Sequence, residues 1–367
     1  MDNETLLFDP AVFAVGHDYQ IIFLTSTNGL GWIEIDGERF TDEEGGLPQY
    51  DSVHKIPVPG EKLNRAGKYT VVYVEYADKK PYYPEGVEKV RKEYRFYPVD
   101  GENFRLFQFA DTHARVESPL RLYRDTGDCD LIVLNGDINE HSYSLENFQT
   151  SFALAAGSAH GEKPVIYSRG NHDTRGYAAQ YLLNYIPTDF RGGRRETFYS
   201  FRQGALWGVV LDCGEDKYDV NVEYGGTICF DPFRKRETEY LRSLIANKEN
   251  EYAAPGVKHK IAICHVPFVE HFEYPFDVAD EIYEEWTKLL GEMGIDLLLC
   301  GHMHQAYFIP AHSPTANRRD AAFPTAVCSI PSKKLPDGGE IYVGGLIEVK
   351  DGQRTVSIIP GGETMEF

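Results

Sequence analysis

The sequence predicts an α/β layered fold preceded by a small all-β region. From residue 104 onward, short apolar runs ("FRLFQFADTH", "DLIVLNGD", "PVIYSRGNHD", "HKIAICHVP", "IDLLLCGHMH") alternate with segments of helical character. That is the texture of buried strands interleaved with helices. Before residue 100, β-rich runs such as "YQIIFLTS", "GWIEID" and "KYTVVYVEY" follow one another across Gly, Asp and Pro clusters, with no helical periodicity between them. A length of 367 residues also exceeds what one hydrophobic core usually holds. The chain therefore divides into residues 1–100, a β-sandwich, and residues 101–367, an α/β domain, with "PVDGEN" at 98–103 as linker.

Each element has its own signal. The spacing of the N-terminal runs suits a sandwich of immunoglobulin or fibronectin type. Helices are expected over 145–159, 233–247 and 279–293. "TFYSFRQGALWGVVLD" reads as two strands paired across Gly204, and the β texture after residue 320 as a hairpin around "KDGQ". Loops are expected at 114–128, 139–147, 174–196 and 213–232. Tyr73, Tyr76, Tyr82 and Tyr83 form an aromatic group, expected to be a sandwich face packed on the larger domain.

Composition narrows the function classes. A net charge of −20 leaves no basic surplus for a nucleic-acid backbone, so nucleic acid is excluded as a general partner. An anionic small substrate stays possible if bound metals reverse the local field. No apolar run approaches the roughly 20 residues of a membrane helix. The start "MDNETLLFDP" lacks a signal peptide's basic and apolar regions, so a cytoplasmic protein without membrane contact is expected. Six cysteines, none before residue 129 and none in a CxxC pair, read as reduced thiols. Cys264 beside His265 is not a thiol nucleophile on this reading, because neighbours on a strand face opposite ways.

The chemistry lies in where the polar residues fall. Asp111 and His113, Asp137, Asn171 and His172, His265, and His302 with His304 each stand at the C-terminal end of an expected strand. In open α/β sheets that rim is where ligands bind. One Asp there is ordinarily a turn former; five consecutive strand ends carrying ligand-type residues are not explained that way. Without His172 the set is two Asp, one Asn and four His, a mixed N/O donor set suited to borderline metals: Mn, Fe, Zn, Ni or Co. Seven donors exceed one tetrahedral site and fit two divalent ions sharing a carboxylate, an arrangement able to clamp a phosphoryl group. His302 and His304, two residues apart, would share a face if strand-borne.

In order, the pattern is D-x-H, G-D, G-N-H-D, H and G-H-x-H, at Asp111–His113, Gly136–Asp137, Gly170–Asp173, His265 and Gly301–His304. This resembles the calcineurin-like metallophosphoesterase family over about residues 104–350. The strand pair in "FYSFRQGALWGVVLD" and the N-terminal sandwich look like its purple acid phosphatase-related branch. The resemblance implies a two-sheet β-sandwich flanked by helices. It also implies that Asp111, His113, Asp137 and His304 hold one metal, while Asp137, Asn171, His265 and His302 hold the other. Where purple acid phosphatases carry a tyrosine three residues after the bridging aspartate, this chain has Glu140, and His113 is a ligand the purple enzymes lack. A purple iron centre is thus not expected.

His172 is the expected general acid, since a leaving alkoxide needs a proton and His donates near neutral pH. Asp173 is expected to orient that imidazole. Arg115 and Arg175 are candidate phosphate contacts; Arg191, Arg194 and Arg195 read as a solvated loop, and His141 faces either cleft or water. The expected function is hydrolysis of small phosphomonoesters or phosphodiesters by attack of a metal-bound hydroxide. A phosphodiesterase for cyclic nucleotides or phospholipid headgroups is the alternative, and a non-catalytic metal-binding scaffold a third reading.

Overall fold

A computed structural model of the chain describes residues 5–335 and 339–367. Its core is four layers deep, helices–sheet–sheet–helices. In one sheet the parallel strands Phe104–Phe109, Leu131–Asn135 and Pro164–Ser168 lie side by side. In the other, Leu206–Leu211, His259–Cys264, Leu297–Cys300 and Thr325–Cys328 run parallel. Alternation along each strand sorts the apolar runs into two faces. Leu106, Leu131, Val133 and Ile166 meet Val210, Ile261, Ile263 and Leu299 between the sheets. Their neighbours Phe107, Ile132 and Leu134 point outward onto Leu120, Phe152 and Leu154 of the helices Glu117–Thr126 and Gln149–Ala159. Ala262, Leu298 and Cys300 likewise meet Leu241, Trp286 and Leu290 of Phe230–Ala246 and Asp280–Met293. Strands buried on both faces are why these runs read as unbroken apolar stretches.

The expected hairpins are present, with Gln203 opposite Leu206 and Lys350 opposite Gln353. The three expected helices form within a few residues of their expected bounds, and the turn before Gln149 is 3₁₀. Two helices differ from expectation. Glu117–Thr126 occupies a stretch read as loop; its buried Leu120 and Tyr123, three apart, give too short a stripe to recognise in sequence. Gly60–Ala66 interrupts the N-terminal β region, ending on left-handed Gly67.

The N-terminal strands are joined to the larger unit. Ala11–Val15 pairs in parallel with Pro164–Ser168 and antiparallel with the long strand Asp18–Ile35, which also pairs with Tyr50–Val58 and Lys68–Tyr76. Ala11–Val15 thereby covers an edge of the Pro164–Ser168 strand that would otherwise lack partners. Tyr82 and Tyr83 are exposed in the turn after Lys68–Tyr76, so the expected packing of the tyrosines on the larger unit is not found for this pair. Tyr73 is buried and donates to the Thr27 carbonyl, and Tyr76 stacks on Tyr50. No helix among the described residues is long and apolar enough to cross a membrane. Five cysteines are buried and Cys229 is exposed; burial pushes the Cys264 thiol well above its ordinary value, which fits an inert thiol.

Two N-terminal side chains brace the loop that follows residue 174. Gln20 exchanges hydrogen bonds with the Thr188 backbone, and Lys55 donates to the carbonyls of Leu183 and Ile186 and to Thr188 Oγ1. Burial, together with the Arg195 charge, pushes the Lys55 ammonium down to about 7. Between that value and the unfolded lysine's ordinary one, the unfolded chain binds the extra proton, so this group makes stability rise with pH across that window. Wild type minus Lys55→Met, measured as urea unfolding free energies from pH 7 to 10, should rise by on the order of 1 kcal/mol per unit. A flat difference would mean that the three acceptors keep Lys55 charged.

Candidate metal centre

All parallel strands end at one rim, and the chain turns sharply there. Asp111, His113, Asp137, His302 and His304 all have left-handed backbones, φ between 46° and 69°. Such conformations cost of order 1–3 kcal/mol each in ordinary residues and concentrate at functional sites. His302 and His304 are therefore not strand neighbours sharing a face. They lie in the bend after Leu297–Cys300 and diverge, His302 Nδ1 to 3.0 Å from Asn171 Oδ1 and His304 Nε2 to 3.4 Å from Asp111 Oδ1. Glycine allows the crowding. A Cβ on Gly170 would sit 2.2 Å from Asp137 Oδ1, and one on Gly136 (φ +74°) 2.4 Å from the His265 ring.

The expected ligands converge in two groups. Donor atoms of Asp111, His113 and His304 lie within 4.8 Å of one another, as do those of Asp137, His265 and His302. Asn171 joins the second group through His302. Each aspartate has one satisfied oxygen. Asp111 Oδ2 accepts from the His302 amide (2.8 Å) and Ser329 Oγ, while buried Oδ1 has no hydrogen-bond partner. Asp137 Oδ1 accepts from the His172 amide at 2.8 Å, while Oδ2 faces His265 Nε2 at 3.1 Å.

His265 makes the requirement for a cation plain. Its Nδ1 lies 2.8 Å from the Asn135 carbonyl, which can only accept, so Nδ1 carries the proton. Neutral Nε2 then turns a lone pair toward a carboxylate, which is unfavourable without a proton or metal between them. Burial opposes the imidazolium, but Asp137 and Asp111 outweigh it and push His265 up to about 10. Burial would raise both carboxyls, yet the neighbouring histidines, His265 foremost, hold Asp137 and Asp111 below the usual carboxylate range. Burial lowers His113 and His302, keeping them in the neutral form that ligates. The site thus draws cationic charge into a buried place, and Asp111 Oδ1 and His265 Nε2, which lack hydrogen-bond partners, are metal-ligand types. Those residues fit a bound divalent pair.

His172 stands beside this centre. Its Nδ1 lies 2.8 Å from the Glu140 carbonyl, its ring stacks on His141 at 5.2 Å, and its edge meets His113. Asp173 does not orient it. The fully buried Asp173 carboxylate accepts from the amides of Asp137 (3.1 Å), Asn139 (3.3 Å) and Gly170 (2.9 Å) and from Asn139 Nδ2 (3.2 Å). These donors from two strand-end turns need a buried acceptor, so Asp173 fixes the two strand-end loops while the Glu140 carbonyl holds His172. Burial and the Asp137 charge push Asp173 up to about 6.

Arg175 is engaged by Glu215 (2.8 Å) and Asp216 (3.3 Å), with Nη1 3.1 Å from His172 Nε2. Arg115 is exposed, 3.5 Å from the Thr112 carbonyl, and meets none of the ligands. Arg191 pairs with Asp189 and lies over Tyr240, and the 189–196 stretch is a short hairpin rather than a free loop. Sequence reading missed Ser329 and Asn135, and gave Glu140 no donor role. Asn135 ends a strand and Ser329 directly follows one, so the strand-end rule could have found both. Glu140 forms a third donor group with His113 and His172.

A sequence profile described as calcineurin-like phosphoesterase matches residues 104–306. No curated protein matches the chain. Among solved structures, the purple acid phosphatase PPD1 from yellow lupin (Lupinus luteus) seeds has a TM-score of 0.62 at 12% identity, covering 97% of this chain and 73% of its own. A dimetal phosphatase from Danio rerio has a TM-score of 0.49 at 11% identity, covering 74% of this chain and 99% of its own. The first of these shows a shared fold.

Added Mn²⁺ or Zn²⁺ should raise the melting temperature, by about 2.7 kcal/mol of stability at 100-fold excess over Kd, and chelator should reverse it. Asp137→Asn should lower both the shift and the metal content read by elemental analysis; unchanged content would count against a shared carboxylate. Gly170→Ala should lower metal content too, because its Cβ must displace Asp137.

Proposed function

The chain belongs to the calcineurin-like phosphoesterase family and is a hydrolase of phosphoric esters; we propose that it cleaves small phosphomonoesters or phosphodiesters at a dinuclear centre. The observation that carries this is the pair of donor groups sharing one buried rim, each with a carboxylate oxygen left free or facing a lone pair. We assign one ion to Asp111, His113, Asp137 and His304, and the other to Asp137, Asn171, His265 and His302. Bound there, divalent ions would supply positive charge for phosphoryl oxygens and acidify a water near neutral pH.

The residues around them do the rest. Water's oxygen becomes bonded to phosphorus as the bond to the alcohol oxygen breaks; the water gives up a proton, and the alcohol keeps the broken bond's electron pair and takes one. His172 is the proposed donor through Nε2, the nitrogen its Glu140 contact leaves free. Arg175 Nη1, which can only donate, lies 3.1 Å from that nitrogen. A phosphoryl oxygen drawing the guanidinium away would let Nε2 take up the proton that the attacking water releases and pass it to the alcohol. Residues 1–100 are proposed as a β-sandwich unit and 101–367 as the catalytic unit, with Gln20 and Lys55 bracing the substrate-side loop.

Replacing His172 with alanine should cut kcat/KM for alkyl phosphates by about 10²–10⁴. The same variant should lose much less on p-nitrophenyl phosphate, whose leaving group hardly needs a proton; equal losses on both would remove the acid role. A monoesterase should turn over p-nitrophenyl phosphate faster than the bis-ester, and the reverse order would favour the diesterase.

A further inference from the structure

A cavity of 770 Å³ opens beside the metal centre. Thr174 and Arg175 line it, and the same Arg175 reaches His172, so the cavity adjoins the side from which a leaving alcohol would be protonated. One part of its wall is apolar, from Tyr177, Leu183, Ile228, Phe230 and Phe233; another carries Arg169, Arg175, Arg194, Arg195 and Arg236 together with Glu196, Glu215 and Glu223. Three of these arginines already hold carboxylates: Arg169 with Asp212 (2.8 Å), Arg175 with Glu215 (2.8 Å) and Arg236 with Glu196 (2.9 Å). The lining acid Glu223 is taken by Lys217 at 2.7 Å.

Arg194 and Arg195 are different. Among the described residues neither has a carboxylate within 4.0 Å. Both lie in the hairpin strand Arg194–Glu196, paired with Asp189–Arg191. Arg195 is steered by neutral acceptors, Asn184 Oδ1 at 2.7 Å and the Leu183 carbonyl, and its charge opposes that of buried Lys55. A chain with 57 acidic and 37 basic residues could readily supply a partner here, yet Arg194 is left unpaired on this wall, while Arg195, its neighbour on the strand, lines both this cavity and the adjoining one that holds Asp42, Glu43, Glu44 and Asp51. That volume suits a small organic molecule.

We propose that this cavity is a leaving-group subsite, taking phosphoesters whose alcohol half is a ring-sized apolar body bearing a second anion, a carboxylate or a phosphoryl group. The apolar wall would cover the ring, and Arg194, with Arg195 at the border between the two cavities, would bind the anion. This deepens the phosphoesterase reading and rests on it.

The test compares phenyl phosphate with 4-carboxyphenyl phosphate and hydroquinone bisphosphate, using metal-loaded wild type, Arg194→Ala/Arg195→Ala, and the corresponding double Lys variant. Wild type should prefer an anion-bearing ester by about tenfold in kcat/KM, given roughly fivefold or less from each exposed charge pair. The double Ala variant should bring that ratio close to that of the uncharged ester, and the Lys variant should restore part of it. Whichever ester responds more identifies the anion. Calorimetric binding of 4-hydroxybenzoate and 4-hydroxyphenylphosphonate, which need no hydrolysis, should weaken in step with the ratio. Arginine-dependent binding without any ester hydrolysis would sink the phosphoesterase reading and leave the subsite standing. Hydrolysis with the same anion ratio in wild type and the Ala variant, and no arginine-dependent binding, would overturn the subsite.

Discussion

Two buried carboxylates, Asp111 and Asp137, set the terms for everything around them. Each is essentially removed from water and within 4 Å of His265 Nε2. Buried carboxylates are tolerated only when cations or donors meet them. Here amides and Ser329 satisfy one oxygen of each, and the remaining oxygens look onto imidazole nitrogens. The left-handed turns, the glycines pressed against ligands and the Asp173 hub all serve to hold like-charged groups at that spacing. A bound divalent pair would relieve the conflict, and the same positive charge would admit an anionic substrate to a protein of net charge −20.

The fold supplies the direction. Parallel strands in both sheets deliver their C-terminal ends to one edge, so residues far apart in sequence meet there without a dedicated scaffold. The N-terminal strands contribute at one remove: Ala11–Val15 extends the first sheet, and Gln20 and Lys55 grip the segment around Thr188. That segment leads into the arginine-bearing hairpin, so the N-terminal strands support the wall of the neighbouring cavity as well as the sheet edge.

How much of this was legible in the sequence follows from how local each signal is. The five ligand blocks could be read because an apolar run followed at once by Asp, Asn or His is a local pattern. The roles of Asp173 and Arg175 could not. Asp173 serves Asp137, thirty-odd positions away, and Arg175 serves Glu215 and Asp216 on another loop. Turn geometry decides both. It also splits His302 from His304, because left-handed φ replaces strand alternation at the point where the strand ends. Ser329 offered only its place just past a strand as a cue, because its partner Asp111 is 218 residues earlier and a serine carries no ligand signature.

The central claim is that the two donor groups form one dinuclear centre bridged by Asp137. Anomalous diffraction from crystals grown with Mn²⁺ or Zn²⁺ tests it most directly. Two peaks about 3.5–4 Å apart, both within bonding distance of the Asp137 carboxylate, are the result expected for paired metals. A single peak, two peaks with Asp137 bound to only one, or no anomalous density among these residues would contradict it.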